Sequence, residues 1–130
     1  MDGQKLTVAR RIQRRTEYKW IYGKGKRIYG RFMTVFILPT DKSTSRLGVA
    51  ATRKLGTAVQ RNRAKRLARE LFRGHKNTSS YDVVVVPRRE MLNAPFSKLE
   101  ADYCSLLRQR RKKNSLGAAS DGKSTRAQIN

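Results

Sequence analysis

The sequence has very few of the residue types on which most catalytic and metal sites depend. It contains one cysteine, Cys104, and one histidine, His75. A single cysteine excludes an internal disulfide and a cysteine metal cluster, and a single histidine argues against a zinc site. Asp and Glu together number only nine, and no two of them form a convincing pair for general acid–base catalysis. We therefore predict no catalytic residue, no metal site and no cofactor bound by the protein alone.

Long apolar runs are also absent. None approaches the ~20 residues that cross a bilayer, and the N-terminal segment carries no apolar signal region. These absences predict a cytoplasmic protein without a membrane-spanning segment. The length of 130 residues predicts a single domain with a sizeable core.

What the chain has in excess is positive charge. Lys and Arg number 31, and the formal net charge is +22. Repulsion among so many like charges destabilises a compact monomer and favours an anionic partner. Nucleic acid is the first candidate and an anionic membrane surface is the second. Nothing in the composition indicates a small-molecule substrate.

Apolar periodicity predicts an α+β fold with the order helix, two or three strands, helix, strand, helix. The predicted elements are a helix at residues 17–22, a short strand at 28–29, strands at 32–38 and 47–52, a helix at 58–73, a strand at 81–86 and a helix at 96–109. The polar run at 40–45 indicates a hairpin loop. As domains, we interpret 1–15 as a basic arm, 16–109 as the folded domain and 110–130 as a basic disordered tail.

The helix at 58–73 has two contrasting sides. Its apolar positions share one side and are Ala64, Leu67, Ala68, Leu71 and Phe72. Asn62, Arg66, Arg69 and Arg73 lie on the opposite side, with Lys65 at its margin. Many charged helix faces are simply solvated, but here nearly all the charges share one sign, and like charges repel along a helix. Because guanidinium groups make forked contacts to phosphate, this side is interpreted as a polyanion-binding ridge.

A second candidate surface lies on the predicted strands. Alternation places Gly48, Ala50, Thr52 and Lys54 on the face opposite Leu47, Val49 and Ala51. Small side chains on a strand leave a concave surface that a ligand can approach closely. Aromatic residues that could stack on bases or pack in the core are Tyr18, Tyr22, Phe32 and Phe36. Stacking is favoured most for Phe36, because alternation places it opposite Val35 and Ile37.

The order of residues around these two surfaces resembles the protein subunit of bacterial ribonuclease P. The segments that carry the resemblance are Arg46-Leu47-Gly48-Val49, Arg53-Lys54-Leu55-Gly56-Thr57-Ala58-Val59, Arg61-Asn62-Arg63, Lys65-Arg66 and Arg69-Glu70. The similarity extends from about residue 12 to residue 107, and it is most specific over residues 48–73. The run at 27–32 superficially echoes the aromatic motif of RRM-type RNA binders, but its spacing does not match.

The resemblance implies a two-layer α/β sandwich of the order αβββαβα. It also implies a left-handed βαβ crossover, against the general right-handed rule. In this family the protein binds a catalytic RNA, and the RNA with Mg²⁺ hydrolyses precursor tRNA to give the mature 5′ end. The second helix faces the catalytic RNA, and a cleft between the first helix and the sheet receives the single-stranded 5′ leader.

The helix pattern and the resemblance together give two sets of candidate residues. The catalytic-RNA-binding set is Arg53, Arg61, Asn62, Arg63, Lys65, Arg66, Arg69 and Arg73. The leader-cleft set is Tyr18, Tyr22, Thr34, Phe36, Ala50, Lys54, Arg61 and Asn62. Tyrosines at 18 and 22, where the family usually has phenylalanine, are departures, as are Trp20 and the basic tail. The alternative is a structural ribosomal-type RNA-binding protein without a processing role.

Overall fold

The computed structural model describes residues 11–75 and 80–116, with 111–116 described by their backbone alone. Its elements are α1 (Arg15–Lys24), β1 (Lys26–Tyr29), β2 (Met33–Pro39), β3 (Arg46–Val49), α2 (Ala58–Gly74), β4 (Tyr81–Pro87), a 3₁₀ helix (Arg89–Asn93) and α3 (Phe96–Leu116). The predicted α+β class is confirmed, and the order of elements follows the expected αβββαβα pattern.

The strands form one four-stranded sheet with the order β1-β2-β4-β3. β4 pairs antiparallel with β2 and parallel with β3, so it occupies the interior of the sheet. Val83, Val84 and Val85 are fully buried there, as expected for an unbroken apolar strand covered on both faces. The predicted hairpin at 40–45 is wrong, because β4 lies between the two strands that this segment connects. The handedness of the β3–α2–β4 crossover stays a prediction.

The main core lies between one face of the sheet and the helices α2 and α3. Its buried members include Ile28, Val35 and Leu47 from the sheet, and Leu71 and Leu99 from the helices. The apolar side predicted for α2 is confirmed, since Ala64, Ala68, Leu71 and Phe72 are buried. A capping box fixes the start of α2. Gln60 N–H donates to the Thr57 hydroxyl at 3.2 Å, and Thr57 N–H donates to the Gln60 side chain at 2.8 Å.

Helix α1 packs on the other face of the sheet and adds a second, smaller core. Ile21 on α1 and Ile12 before it are buried with Val84, and Tyr18 and Phe36 pack against them. The sheet is therefore covered by helices on both faces.

The predicted domain limits are too narrow at both ends. Arg11 forms a parallel bridge with Leu47, and Ile12 N–H donates to the Leu47 carbonyl at 2.9 Å, so this part of the predicted arm belongs to the fold. Burial of Ile12 explains the difference, because it extends the core beyond α1. At the other end, α3 continues to Leu116 and includes the first residues of the predicted tail. Residues 1–10 and 117–130 lie outside the described residues.

Candidate nucleic-acid interface

Two rows of neighbouring strand positions on the sheet face under α1 form the candidate surface, and a third row, Leu38, Asp82 and Arg46, continues this face beyond them. The first, which we call the covered row, is Arg27, Phe36, Val84 and Gly48. The second, which we call the open row, is Tyr29, Thr34, Val86 and, just beyond β3, Ala50. Helix α1 packs over the covered row, with Tyr22 against Phe36 and Tyr18 against Gly48. All four members of the open row keep solvent exposure, and Tyr29 keeps the most.

Tyr18 is held mainly by packing. A Cβ atom at Gly48 would lie 2.8 Å from the Tyr18 hydroxyl oxygen, so the glycine is what lets the ring rest against β3. The hydroxyl donates to the Ile12 carbonyl at 3.2 Å, and burial raises the pKa of Tyr18. The sequence predicts that Tyr18 either stacks on a base or packs in the core. These contacts show that most of its ring packs in the core.

Tyr22 and Phe36 present aromatic surface beside the open row. Their ring centroids are 4.8 Å apart at an interplanar angle of 59°, a tilted pair that aromatic quadrupoles favour. Tyr22 remains 40% exposed, and its ring centroid is 6.3 Å from that of Tyr18. The predicted cleft aromatics therefore meet at one place. Phe32, in contrast, is buried in the main core.

Arg27 continues this aromatic group onto the edge strand β1. Its guanidinium carbon is 5.4 Å from the Phe36 ring centroid and 5.5 Å from that of Tyr29. Arg27 Nη1 also donates to the Tyr29 hydroxyl at 2.6 Å. Sequence reasoning missed Arg27 and Tyr29, although a signal was present: Ile28 is the only apolar aliphatic residue of β1, and alternation about it sends both neighbours outward.

The predicted polyanion-binding ridge of α2 is solvent-accessible along its length. Asn62 and Arg66 are exposed, and Lys65, Arg69 and Arg73 are partly exposed. Lys65 and Arg69 also line a pocket of about 190 Å³ at the edge of β3. The other lining residues are Arg11, Ile12, Gln13, Tyr18, Leu47, Gly48 and Val49.

This β3-edge pocket is strongly cationic. It brings together three cationic side chains, those of Arg11, Lys65 and Arg69, and no acidic residue lines it. Arg11 Nε is buried and makes no hydrogen bond within the described part of the chain. A buried donor without a partner is costly unless a ligand or water supplies an acceptor, so the pocket suits an oxyanion. Sequence reasoning missed Arg11, because the residue was assigned to the arm.

The remaining candidates lie around the start of α2. Arg61 Nη1 donates to the Gly56 carbonyl at 2.9 Å, and Arg63 Nε donates to the Leu92 carbonyl at 3.1 Å. Arg63 therefore contacts the 3₁₀ helix, on a different side of α2 from Lys65. Arg53 and Lys54 are exposed in the preceding turn. Arg61 and Asn62 lie in the first turns of α2 and Lys54 in the turn before it, where the Lys54 carbonyl accepts from Arg89.

Arg46 forms an ionic clamp with two acidic residues below α1. It donates to the two Asp82 carboxylate oxygens at 3.1 and 2.9 Å and to a Glu17 oxygen at 2.9 Å. The hydrogen bond from Arg46 is the main reason why the pKa of Glu17 is lowered. Since Arg46 is on β3, Asp82 on β4 and Glu17 on α1, the clamp holds α1 against the sheet. Sequence reasoning used Arg46 only as a family motif residue.

Other acidic side chains of the described residues also have structural partners. Asp102 accepts the backbone N–H groups of Arg31 and Phe32 at 3.2 and 2.9 Å. His75 Nε2 lies 3.3 Å from a Glu100 carboxylate oxygen. Over residues 11–75 and 80–116, no group of acidic, His and Cys side chains is arranged to hold a metal ion. In the same ranges, no helix is long and apolar enough to cross a membrane.

A cationic helix ridge, a cation-lined pocket and an open sheet face bordered by aromatics define a basic nucleic-acid-binding domain of the α+β class. The family model described as Ribonuclease P matches residues 6–111. The chain belongs to this family, the protein components of bacterial ribonuclease P. Membership makes it a subunit of an endoribonuclease holoenzyme that acts in tRNA processing, with the ribonuclease P RNA as its partner.

Individual relatives agree with this assignment. The ribonuclease P protein component of Syntrophus aciditrophicus is 40% identical over 105 residues, covering 78% of this chain and 85% of the relative. The ribonuclease P protein component of Caldanaerobacter subterraneus is 34% identical, and the match covers 82% of this chain and 90% of the relative. Among solved structures, the RNase P protein of Thermotoga maritima has 30% identity, a TM-score of 0.69 and coverage of 76% and 96%. The RNase P protein of Staphylococcus aureus has 28% identity, a TM-score of 0.69 and coverage of 78% and 94%. These similarities favour the family over the ribosomal-type alternative.

Proposed function

We propose that the chain binds the ribonuclease P RNA through α2 and the single-stranded 5′ leader of precursor tRNA through the open row. It thereby assists endonucleolytic removal of the leader, which gives the mature tRNA 5′ end. The observation that carries this proposal is the arrangement of the two surfaces. They share the β3 end of the sheet, where Ala50 closes the open row and Lys65 and Arg69 border the β3-edge pocket. One protein can therefore contact both RNAs side by side.

The α2 side suits a folded RNA because it offers charge without base-reading geometry. Arg66, Arg69 and Arg73 repeat along one side of α2 and can each contact a backbone phosphate. The β3-edge pocket adds Arg11 to this set and is large enough to receive one phosphate oxyanion. Contacts of this kind release counterions, so affinity for the RNA should fall steeply with salt.

The open row suits a single strand because it combines small residues with aromatic rings. Thr34 and Ala50 leave room above the sheet, and the Tyr22–Phe36 pair beside them offers ring surface for a base. Stacking of this kind tolerates any base sequence, as a leader of variable sequence requires. Neither row contains an acidic residue, and the Asp82 and Glu17 carboxylates that lie elsewhere under α1 are both paired with Arg46, so repulsion of the leader phosphates is small.

The chemistry is assigned to the RNA, with Mg²⁺ required by the holoenzyme and no cofactor held by the protein. The structural partners of Glu17, Asp82 and Asp102 support this assignment, because these carboxylates stabilise the fold. The holoenzyme is expected to work in the cytoplasm.

The test is reconstitution of the chain with a bacterial ribonuclease P RNA. Cleavage of precursor tRNA at low Mg²⁺ should be stimulated by the protein. Failure to stimulate an RNA that is active at high Mg²⁺ would contradict the proposal. Copurification of the protein with ribosomal particles instead of this RNA would favour the ribosomal-type alternative.

Two variants assign the surfaces. Arg69→Ala should weaken RNA assembly and reduce the log–log salt slope by ~0.7–0.9, the value of one phosphate contact. Arg108→Ala, which removes the same charge from an exposed position on α3, is the matched control and should leave the slope unchanged. Tyr22→Ala should weaken the binding of precursor tRNA more than the binding of mature tRNA, by ~1–3 kcal/mol for one lost stacked base. Equal losses with both substrates would mean that Tyr22 acts in packing.

A further inference from the structure

The open row ends at an exposed aromatic residue on the edge of the sheet. Tyr29 lies on β1, pairs with Thr34 on β2 and is 49% exposed. β1 is the outermost strand on the side away from β3 and α2. A single exposed aromatic ring is normal on a protein surface, but the Tyr29 ring is also held in a defined position beside other aromatic rings.

Arg27 holds the Tyr29 ring in place. It combines a 2.6 Å hydrogen bond to the Tyr29 hydroxyl with a guanidinium position 5.5 Å from the ring centroid. The same guanidinium lies 5.4 Å from Phe36, so Tyr29, Arg27, Phe36 and Tyr22 form a continuous line of π surfaces and one cation. A ring restrained in this way loses less conformational entropy when a base stacks on it.

Charge identifies the occupant of this surface as an anionic strand. Arg27 is exposed, and the positions beside it in the two rows carry no acidic side chain. A single-stranded RNA supplies both a negative backbone and bases that can stack, which matches a cation placed between aromatic rings.

We propose that Tyr29, positioned by Arg27, is a further stacking site for the precursor tRNA leader, at its end away from the catalytic RNA. This inference rests on the proposed function. With the catalytic RNA on α2, the leader enters the open row at Ala50 and leaves it at Tyr29. Three interstrand spacings of ~4.8 Å separate the outer strands, so Tyr29 lies ~14 Å further along the path than Ala50. Only leaders long enough to cross the sheet reach it.

The experiment measures binding of the holoenzyme to precursor tRNAs whose leaders increase in length by single nucleotides. Tyr29→Thr removes the ring and keeps a residue favourable in strands. This variant should bind long-leader substrates about fivefold or more weakly, and it should match the wild type on short leaders and on mature tRNA. Tyr29→Phe keeps the ring and should stay close to the wild type throughout. The leader length at which Tyr29→Thr first loses affinity should exceed the length at which Tyr22→Ala does.

Trp20→Ala is the matched control, because Trp20 is an exposed aromatic on α1 with Lys24 5.3 Å from its ring, and it lies on the opposite side of α1 from Tyr22. Its binding should be unchanged at every leader length. The inference would be overturned if the Tyr29→Thr holoenzyme bound long-leader substrates with wild-type affinity. It would also be overturned if this variant lost equal affinity for long-leader substrates and for mature tRNA. A Tyr29→Phe variant as weak as Tyr29→Thr would also overturn it. If the wild type itself gains nothing from a longer leader, the proposed leader surface is wrong as a whole.

Discussion

Gly48 is a position where one added methyl group should directly displace an aromatic ring of the interface. An ideal Cβ there would lie 2.8 Å from the Tyr18 hydroxyl oxygen and 2.9 Å from two ring carbons. Non-bonded carbon atoms are stable at ~3.5–4.0 Å, so the ring in a Gly48→Ala variant has to move by ~0.6 Å or more. The Tyr18 side chain cannot rotate freely, because its hydroxyl donates a hydrogen bond to the Ile12 carbonyl and its ring lies next to the Tyr22 ring.

The cost follows from this displacement. Overpacking by one methyl group typically destabilises by ~1–3 kcal/mol, and loss of the Tyr18–Ile12 hydrogen bond contributes ~1 kcal/mol of this. The assay is urea unfolding at fixed salt, read as a lower midpoint with an unchanged m value. A thermal scan should show Tm lower by ~4–8 °C for each kcal/mol in a domain of this size.

Gly23→Ala is the control, since a Cβ at Gly23 meets nothing within 4 Å. Because Gly23 is in α1, this variant should be stabilised by ~0.5–1 kcal/mol. The Gly48→Ala penalty should also shrink in a Tyr18→Ala background, where the obstructing ring is absent. A penalty of the same size in that background, or a Gly48→Ala protein as stable as the wild type, would refute this steric explanation.

Two further predictions concern the Arg46 clamp. Arg46→Met should destabilise the fold by ~3–5 kcal/mol in urea unfolding, because it leaves the Asp82 carboxylate without its cation. Asp82 is only 7% exposed. A loss of stability below ~1 kcal/mol would mean that water compensates for the missing cation. Glu17 has its pKa lowered from an ordinary 4.5 by Arg46, so its contribution is present above that pH and is lost as the pH falls through the lowered value. The stability difference between wild type and Glu17→Gln should therefore be clear at pH 7 and shrink in acid, and a difference that is constant with pH would contradict this account.

The features that sequence predicts well here are those set by local pattern. The period of α2 gives both its buried side and its ridge, because side chains three and four residues apart share one helix face. The apolar run Val83 to Val86 indicates a strand covered on both faces, as the structure confirms.

The features that sequence misses depend on contacts between distant segments. Nothing local in residues 40–45 says that β4 will separate β2 from β3. Asp82 interrupts an apolar strand, and only the fold places it beside Arg46, 36 residues away. Arg11 and Ile12 read as part of a polar arm until their bridge to Leu47 is known. For the interface, the residue types were available, but the line from Tyr22 to Tyr29 requires the β1–β2 register.

The domain has two electrostatic systems that differ in their sensitivity to salt. One is the ridge of α2 and the other is the Arg46 clamp. The ridge of α2 faces solvent, where at 0.15 M salt charges are screened beyond ~8 Å, while buried pairs are screened much less. The Arg46 and Asp82 side chains are only 14% and 10% exposed. Raising the ionic strength should therefore dissociate the RNA and leave α1 seated on the sheet. A protein stripped of its RNA by salt would keep the leader surface assembled, ready for reuse when the ionic strength falls.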